Sequence, residues 1–298
     1  MPAHSGPEPS GCATPVSILR ATAGGLSALE DSVATEEPLE IQVSYEGRGG
    51  VRVNRSVSVT MRTPGNDAEL AAGFLFGEGL VQDREQIEGI APAQAGGEAP
   101  GSGNTVRVSL AAGVHVDLRA LERHFYMTSS CGVCGKTSID ALRLARPVRL
   151  PPDEPVVELT MLRRLPGTLR AGQRVFDETG GLHAAALFGP DGGMISLCED
   201  VGRHNAVDKV IGAQFLAGRT PLPQAILAVS GRASFELMQK ALMAGIPVLA
   251  AVGAPSSLAV ELARQYGATL VGFMREGRFN VYSGAHRLRE VAPAQPRA

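Results

Sequence analysis

Three continuous apolar runs, Ala225–Val229, Pro247–Val252 and Thr269–Phe273, constrain this chain more than any other feature. They are separated by two helical patterns, Ser234 to about Ala244 and Ser256 to Tyr266. A strand that is apolar on both faces is stable only when both faces are covered, so the alternation predicts a parallel α/β layer with helices over the sheet. Upstream of it, His183–Phe188 and Met194–Leu197 read as two strands around a Gly-Pro-Asp-Gly-Gly turn. His204–Leu216 then reads as an amphipathic helix with Val207, Val210, Ile211 and Phe215 on one face.

The first half carries a different pattern. Leu39–Tyr45 alternates apolar and polar residues, and after Gly47 to Gly50 the runs Val51–Asn54 and Val57–Met61 repeat the alternation, which predicts a hairpin. Turn chemistry at Thr63–Asp67 caps a helix that runs to Phe76 and ends near Gly77. Ala91–Gly103 reads as a flexible loop, and Val106–Leu110 as a further strand. Met1 to about Gly25 is rich in Pro, Gly, Ala and Ser and is expected to be disordered. The expected division is therefore a tail over residues 1–25, a β-rich part over 26–150 and an α/β part over 151–298.

Composition enters where function classes are to be excluded. A net charge of −2 gives no whole-molecule attraction to nucleic acid or to an anionic membrane. With 4% aromatic residues and no Trp, a stacking platform for single strands is poorly supplied. Charged residues interrupt every apolar run short of membrane length, and Met1–Pro15 has no secretory pattern. Four cysteines in 298 residues do not make a disulfide scaffold, which points to a reducing, cytoplasmic compartment.

Three segments can carry chemistry. The first is Cys131-Gly132-Val133-Cys134, whose Ser and Gly neighbours leave the thiol pair open to a large partner. Such a pair can share one redox event, one metal or one sulfur atom. A closed zinc site needs four ligands, and there is no second CxxC; Cys198, His124, His183 or His204 could complete one, but no spacing requires it. No His is followed two residues later by Glu, so the nucleic-acid deaminase zinc signature is missing. Lys136 or a following helix N-terminus could lower a thiol pKa. Two buried structural thiols are the bland reading, which the small neighbours weaken.

The second is Glu199–Lys209, dense in charged and polar side chains at a strand-to-helix junction, where α/β proteins place ligands. A well-capped helix start is the competing reading, and Asp208 and Lys209 fit it. The third is Ser230-Gly231-Arg232 with Ser234, a Gly-containing turn that can cradle phosphates, though it is neither a Walker A loop nor G-x-G-x-x-G. Ala254–Ser257 repeats that geometry at the next strand end, and Phe273-Met274-Arg275-Glu276-Gly277-Arg278 adds two guanidinium groups at the third.

These motifs, together with Glu36–Leu39, Gly73–Leu75, Thr179–Ala185 and Ala244–Pro247, resemble the FdhD family, the formate dehydrogenase accessory sulfurtransferases. The resemblance runs from about Glu36 to Tyr282. It implies an α/β (mixed α+β) fold, a cytidine deaminase-like three-layer core with an N-terminal antiparallel β part. It implies a sulfurtransferase that takes sulfur from a cysteine desulfurase as a persulfide on Cys131, with Cys134 as its partner. The acceptor it implies is the molybdenum (or tungsten) bis(molybdopterin guanine dinucleotide) cofactor of formate dehydrogenase. That cofactor is bound as a client at Phe273–Arg278 and, by the loop reading, at Ser230, Gly231, Arg232 and His204. No resident metal, nucleic acid or membrane partner is expected, and a homodimer is. Two other classes stay open: a zinc module on Cys131 and Cys134, and a non-catalytic cofactor-insertion chaperone.

Overall fold

A computed structural model of the chain describes residues 11–47, 49–93, 103–114 and 149–290. Cys131, Cys134 and His124 lie outside the described residues.

The chain begins with a hairpin, β1 (Ala13–Thr22) and β2 (Gly25–Ala34), paired antiparallel in unbroken register. This corrects the expected disordered tail over residues 13–25. Strands β3 (Glu37–Glu46) and β4 (Arg52–Arg62) form the predicted second hairpin, followed by α1 (Asp67–Gly77), β5 (Ile87–Pro92) and β6 (Thr105–Leu110). β5 reaches Pro92, so the flexible loop expected from Ala91 starts later. These strands make a four-stranded sheet in the order β4-β3-β6-β5, with β3 and β6 parallel. The period-2 pattern decides its faces: Leu39, Ile41 and Val43 are buried, while Glu40 and Gln42 between them are half-exposed.

The second half runs β7 (Val157–Glu158), α2 (Leu159–Ala171), α3 (Arg174–Thr179), β8 (His183–Phe188), β9 (Met194–Asp200), α4 (Arg203–Leu216), β10 (Ile226–Val229), α5 (Phe235–Met243), β11 (Val248–Ala251), α6 (Ser257–Gln265), β12 (Thr269–Arg275), β13 (Arg278–Ser283) and β14 (Leu288–Arg289). Six of these strands form one sheet in the order β13-β12-β11-β10-β8-β9, with β10, β11 and β12 parallel as the apolar runs require.

Alternate residues of that sheet feed two cores. Ala184, Ala186, Ile226, Ala228, Val248 and Ala250 pack with Met161, Leu162, Leu165 and Leu169 of α2. Ala185, Leu187, Leu227, Val229, Leu249 and Ala251 face the other way, into a core shared with α1, α4, α5, α6 and the four-stranded sheet. That larger core crosses position 150, where a boundary between two parts was expected.

Two glycines set its closest crossing. A Cβ on Gly73 of α1 would lie 2.0 Å from the Asp208 carbonyl oxygen, and one on Gly212 of α4 would lie 1.9 Å from that of Glu69. The two backbones touch, and no other residue fits either position. Among the described residues no helix is long and apolar enough to cross a membrane.

Candidate functional site

The Glu199–Lys209 segment divides into groups that build the fold and groups left at its edge. Asp200 ends β9 with its side chain fully buried, 2.8 Å from Lys209 Nζ. Its carboxylate accepts from the Thr63 amide (3.2 Å), the Gly202 amide (2.8 Å) and Asn205 Nδ2 (3.0 Å). Lys209 Nζ also donates to the Thr63 carbonyl (2.8 Å), and Asn205 Nδ2 to the Met61 carbonyl (2.8 Å). Thr63 Oγ1 in turn accepts from the Val201 amide (3.2 Å). This buried, satisfied network bolts the β9–α4 turn to the end of β4. One helical turn on, Asp208 pairs with Lys240 of α5 at 2.7 Å. Burial pulls the Lys240 ammonium down, and Asp208 and Glu78 outweigh that and hold it above its ordinary value. Asp200, Asn205, Asp208 and Lys209 are therefore architectural.

His204 is half-buried at the edge of this framework, where α4 and α5 begin, with its Nε2 covered. Its Nε2 lies 3.9 Å from Glu236 Oε2, and Ser234 Oγ is buried beside that carboxyl. Burial pushes the Glu236 carboxyl up, but His204 and Ser234 outweigh it and hold the group below the usual carboxylate range. His183, at the start of β8, is lowered first by burial and then by the charges of Arg203 and His204, so its imidazole is neutral near pH 7. A Cβ on Gly231 would sit 3.5 Å from His183 Nδ1 and 3.7 Å from Arg203 Cδ, which places the Ser230–Arg232 turn against this group.

The three loops predicted at the strand ends are joined in a row. The Gly253 amide donates to the Gly231 carbonyl (2.9 Å), the Ala233 amide to that of Ala254 (3.1 Å), and the Phe273 amide to that of Gly253 (3.0 Å). Close approach requires the glycine here: a Cβ on Gly253 would lie 2.8 Å from the Gly231 carbonyl oxygen. Phe273 takes a left-handed conformation (φ 52°) at a break in the β12–β13 register and is 44% exposed. Next to it Met274 is buried, and Arg275 Nη1 donates to the carbonyls of Val252 and Met274, each at 2.7 Å. Gly277 (φ 82°) makes the turn into Arg278, which pairs across it with Arg275.

A cavity of about 950 Å³ opens at these strand ends. Ser230, Val252 and the stretch Met274–Gly277 form one wall, and α2, from Thr160 to Arg170, forms the other. The structure thus brings Ser230, Met274, Arg275, Glu276 and Gly277 together around one space. Gly231, Arg232, Phe273 and Arg278 belong to the same loops without lining it, and His204 stands apart beside Glu236 on the α4–α5 side. The arginines of α2 were not anticipated. Their signal was present as apolar residues at Met161, Leu162, Leu165 and Leu169, a helical spacing hidden by Pro166 and Gly167 in its middle. Cys198, on β9, is partly buried against the larger core and does not line the cavity, and burial pushes its thiol up to about 12.

Fold and crevice together define a mixed α/β protein whose parallel strands end at a basic cleft. The model of the FdhD/NarQ family matches residues 34–289, and the chain belongs to that family. It is 50% identical over 280 residues to the sulfur carrier protein FdhD of Streptomyces avermitilis, covering 93% of this chain and 96% of that one. The FdhD protein of Mycobacterium tuberculosis is 51% identical over 262 residues (87% and 92%), and that of Anaeromyxobacter dehalogenans strain 2CP-1 is 48% identical over 295 (96% of each). A crystal structure of a proposed formate dehydrogenase accessory protein from Desulfotalea psychrophila shares the fold, with a TM-score of 0.70 and 24% identity over 93% of this chain and all of that one.

Proposed function

We propose that this protein is a sulfur carrier that matures formate dehydrogenase. The observation that carries the reading is the identity of about half the residues, over nearly the whole length, to proteins named sulfur carrier protein FdhD. In this reading the Cys131 thiolate attacks the outer sulfur of a persulfide on a cysteine desulfurase. The donor's S–S bond breaks, its thiolate leaves, and Cys131 keeps the sulfur as its own persulfide. Attack by Cys134 on the inner sulfur would close a disulfide and release hydrosulfide to the acceptor. The acceptor is the molybdenum bis(molybdopterin guanine dinucleotide) destined for formate dehydrogenase. It is held as a client by the joined loops at Ser230–Arg232 and Phe273–Arg278, in the cytoplasm and by a homodimer. The mixed sheet with helices on both faces supports a cytidine deaminase-like core.

The test is to incubate the purified chain with a desulfurase and labelled cysteine. Label should appear as a persulfide on Cys131, and the Cys131→Ala variant should yield inactive formate dehydrogenase. Full formate dehydrogenase activity from cells carrying only that variant would refute the carrier role. Zinc near one atom per chain in elemental analysis, with no persulfide, would favour the metal module instead.

A further inference from the structure

Helix α2 has no acidic residue along its length, yet it presents Arg163, Arg164 and Arg170 to the cavity, where Arg275 faces them from β12. Glu276 is the one carboxylate among the described lining residues. In a chain of net charge −2 this concentration of guanidinium groups is local, and a cleft lined by one sign of charge raises the local concentration of anions. The four are not equivalent. Arg170 is engaged, paired with Asp177 and stacked 4.7 Å above the Phe176 ring, and Arg275 is fixed by two carbonyls. Arg163 and Arg164 are exposed and carry no ion pair or side-chain hydrogen bond among the described residues. Behind them Leu169, Val252 and Met274 give the cavity an apolar wall. An exposed arginine on a helix is ordinarily just solvated; here two stand at the mouth of a large cavity that has both a cationic and an apolar lining.

We propose that α2 is the second jaw of the crevice: Arg163 and Arg164 grip the diphosphate of a nucleotide ester, across the cavity from Ser230 and Arg275, and the apolar wall receives a ring of the same ligand. This rests on the client-binding reading above and adds to it the residues and the phosphate contact. Planar guanidinium groups suit phosphate oxygens because two parallel N–H bonds can reach one group. Gly167 gives an independent handle. A Cβ there would meet nothing within 4 Å, so a larger side chain enters open space beside the cavity while improving the helix.

Calorimetry on the full chain with GDP, guanosine and inorganic pyrophosphate tests the proposal. The wild type should bind GDP and pyrophosphate, and guanosine more weakly. Arg163→Gln combined with Arg164→Gln should weaken both phosphate ligands roughly tenfold or more, since each lost charge-assisted contact is worth about that factor. Gly167→Leu should weaken GDP with no loss of thermal stability. If both variants bind GDP as the wild type does while Arg275→Ala and Arg278→Ala do not, the client site stands and the role of α2 falls. A wild type that binds neither GDP nor pyrophosphate overturns both.

Discussion

Replacing Gly212 with alanine sets two calculable effects against each other. In an isolated helix the change stabilises by about 1 kcal/mol. Here the new methyl would lie 1.9 Å from the Glu69 carbonyl oxygen and 2.7 Å from the Gly73 amide nitrogen, both backbone atoms that cannot rotate away. Ordinary contact begins near 3.4 Å, so α1 and α4 must part by about 1.5 Å. A gap of even 1 Å forfeits up to about half of a dispersion contact. The side chains that lose it include Leu70, Leu75, Val207 and Ile211, and the Phe76–Phe215 pair whose rings sit 4.9 Å apart. Each is worth about 2 kcal/mol when fully buried, so losing a third of that over six side chains costs about 4 kcal/mol. The net expectation is a loss of about 3 kcal/mol, larger than an ordinary substitution. With a urea slope of about 3 kcal/mol per molar for a chain this size, the midpoint should fall by about 1 M at unchanged slope. Gly167→Ala, facing open space, is the control and should raise the midpoint slightly. A Gly212→Ala midpoint at or above wild type would refute the backbone contact between α1 and α4 at this crossing.

Two further outcomes follow from half-buried titratable groups. The folded His183 binds a proton less readily than the unfolded one, so it subtracts stability as pH falls below the ordinary histidine value near 6.5; His183→Asn should flatten the acid side of a stability-versus-pH curve, and an unchanged curve would refute the assignment. The Cys198 thiol, pushed to about 12, stays protonated in the fold, so iodoacetamide at pH 8 should leave it unlabelled in native protein, and Cys198→Ala should load sulfur as the wild type does; rapid native labelling at Cys198 would refute the raised thiol. For the same reason stability should decline as pH rises above 9, where an unfolded thiol ionises and this one does not.

Much of the α/β half was legible because burial writes itself into sequence there. β8 has the predicted ends, and β10, β11, α5 and α6 fall within a residue of theirs at each end. Elements whose faces are mostly wet left no such trace. The β1–β2 hairpin exposes Leu19 and Leu26 along with its polar residues, so its pairing has no apolar period to announce it. α2 was hidden by a proline that helices seldom carry inside. At the site, residue types were legible and roles were not. Asp200 looks as functional as His204 until burial shows that its partners are Lys209 and the Thr63 backbone amide, the latter more than 130 residues earlier in the chain. That distance is not written in any local pattern.

The bolt at Thr63 also orders events during synthesis. The inner face of the four-stranded sheet, with Leu39, Ile41, Val43, Val106 and Val108, is complete once Leu110 has emerged, yet at that stage it has only α1 for cover. The residues of α4 that pack on α1 and bolt down the end of β4 come about a hundred positions later, a wait of roughly 5–20 s at ordinary translation rates. The basic cleft itself needs β12, close to the C-terminal end of the fold. A growing chain therefore spends seconds with an apolar sheet only partly covered and gains the cleft only after β12 has emerged, so chaperone supply and growth temperature should govern the yield of soluble protein more than the composition of its surface does.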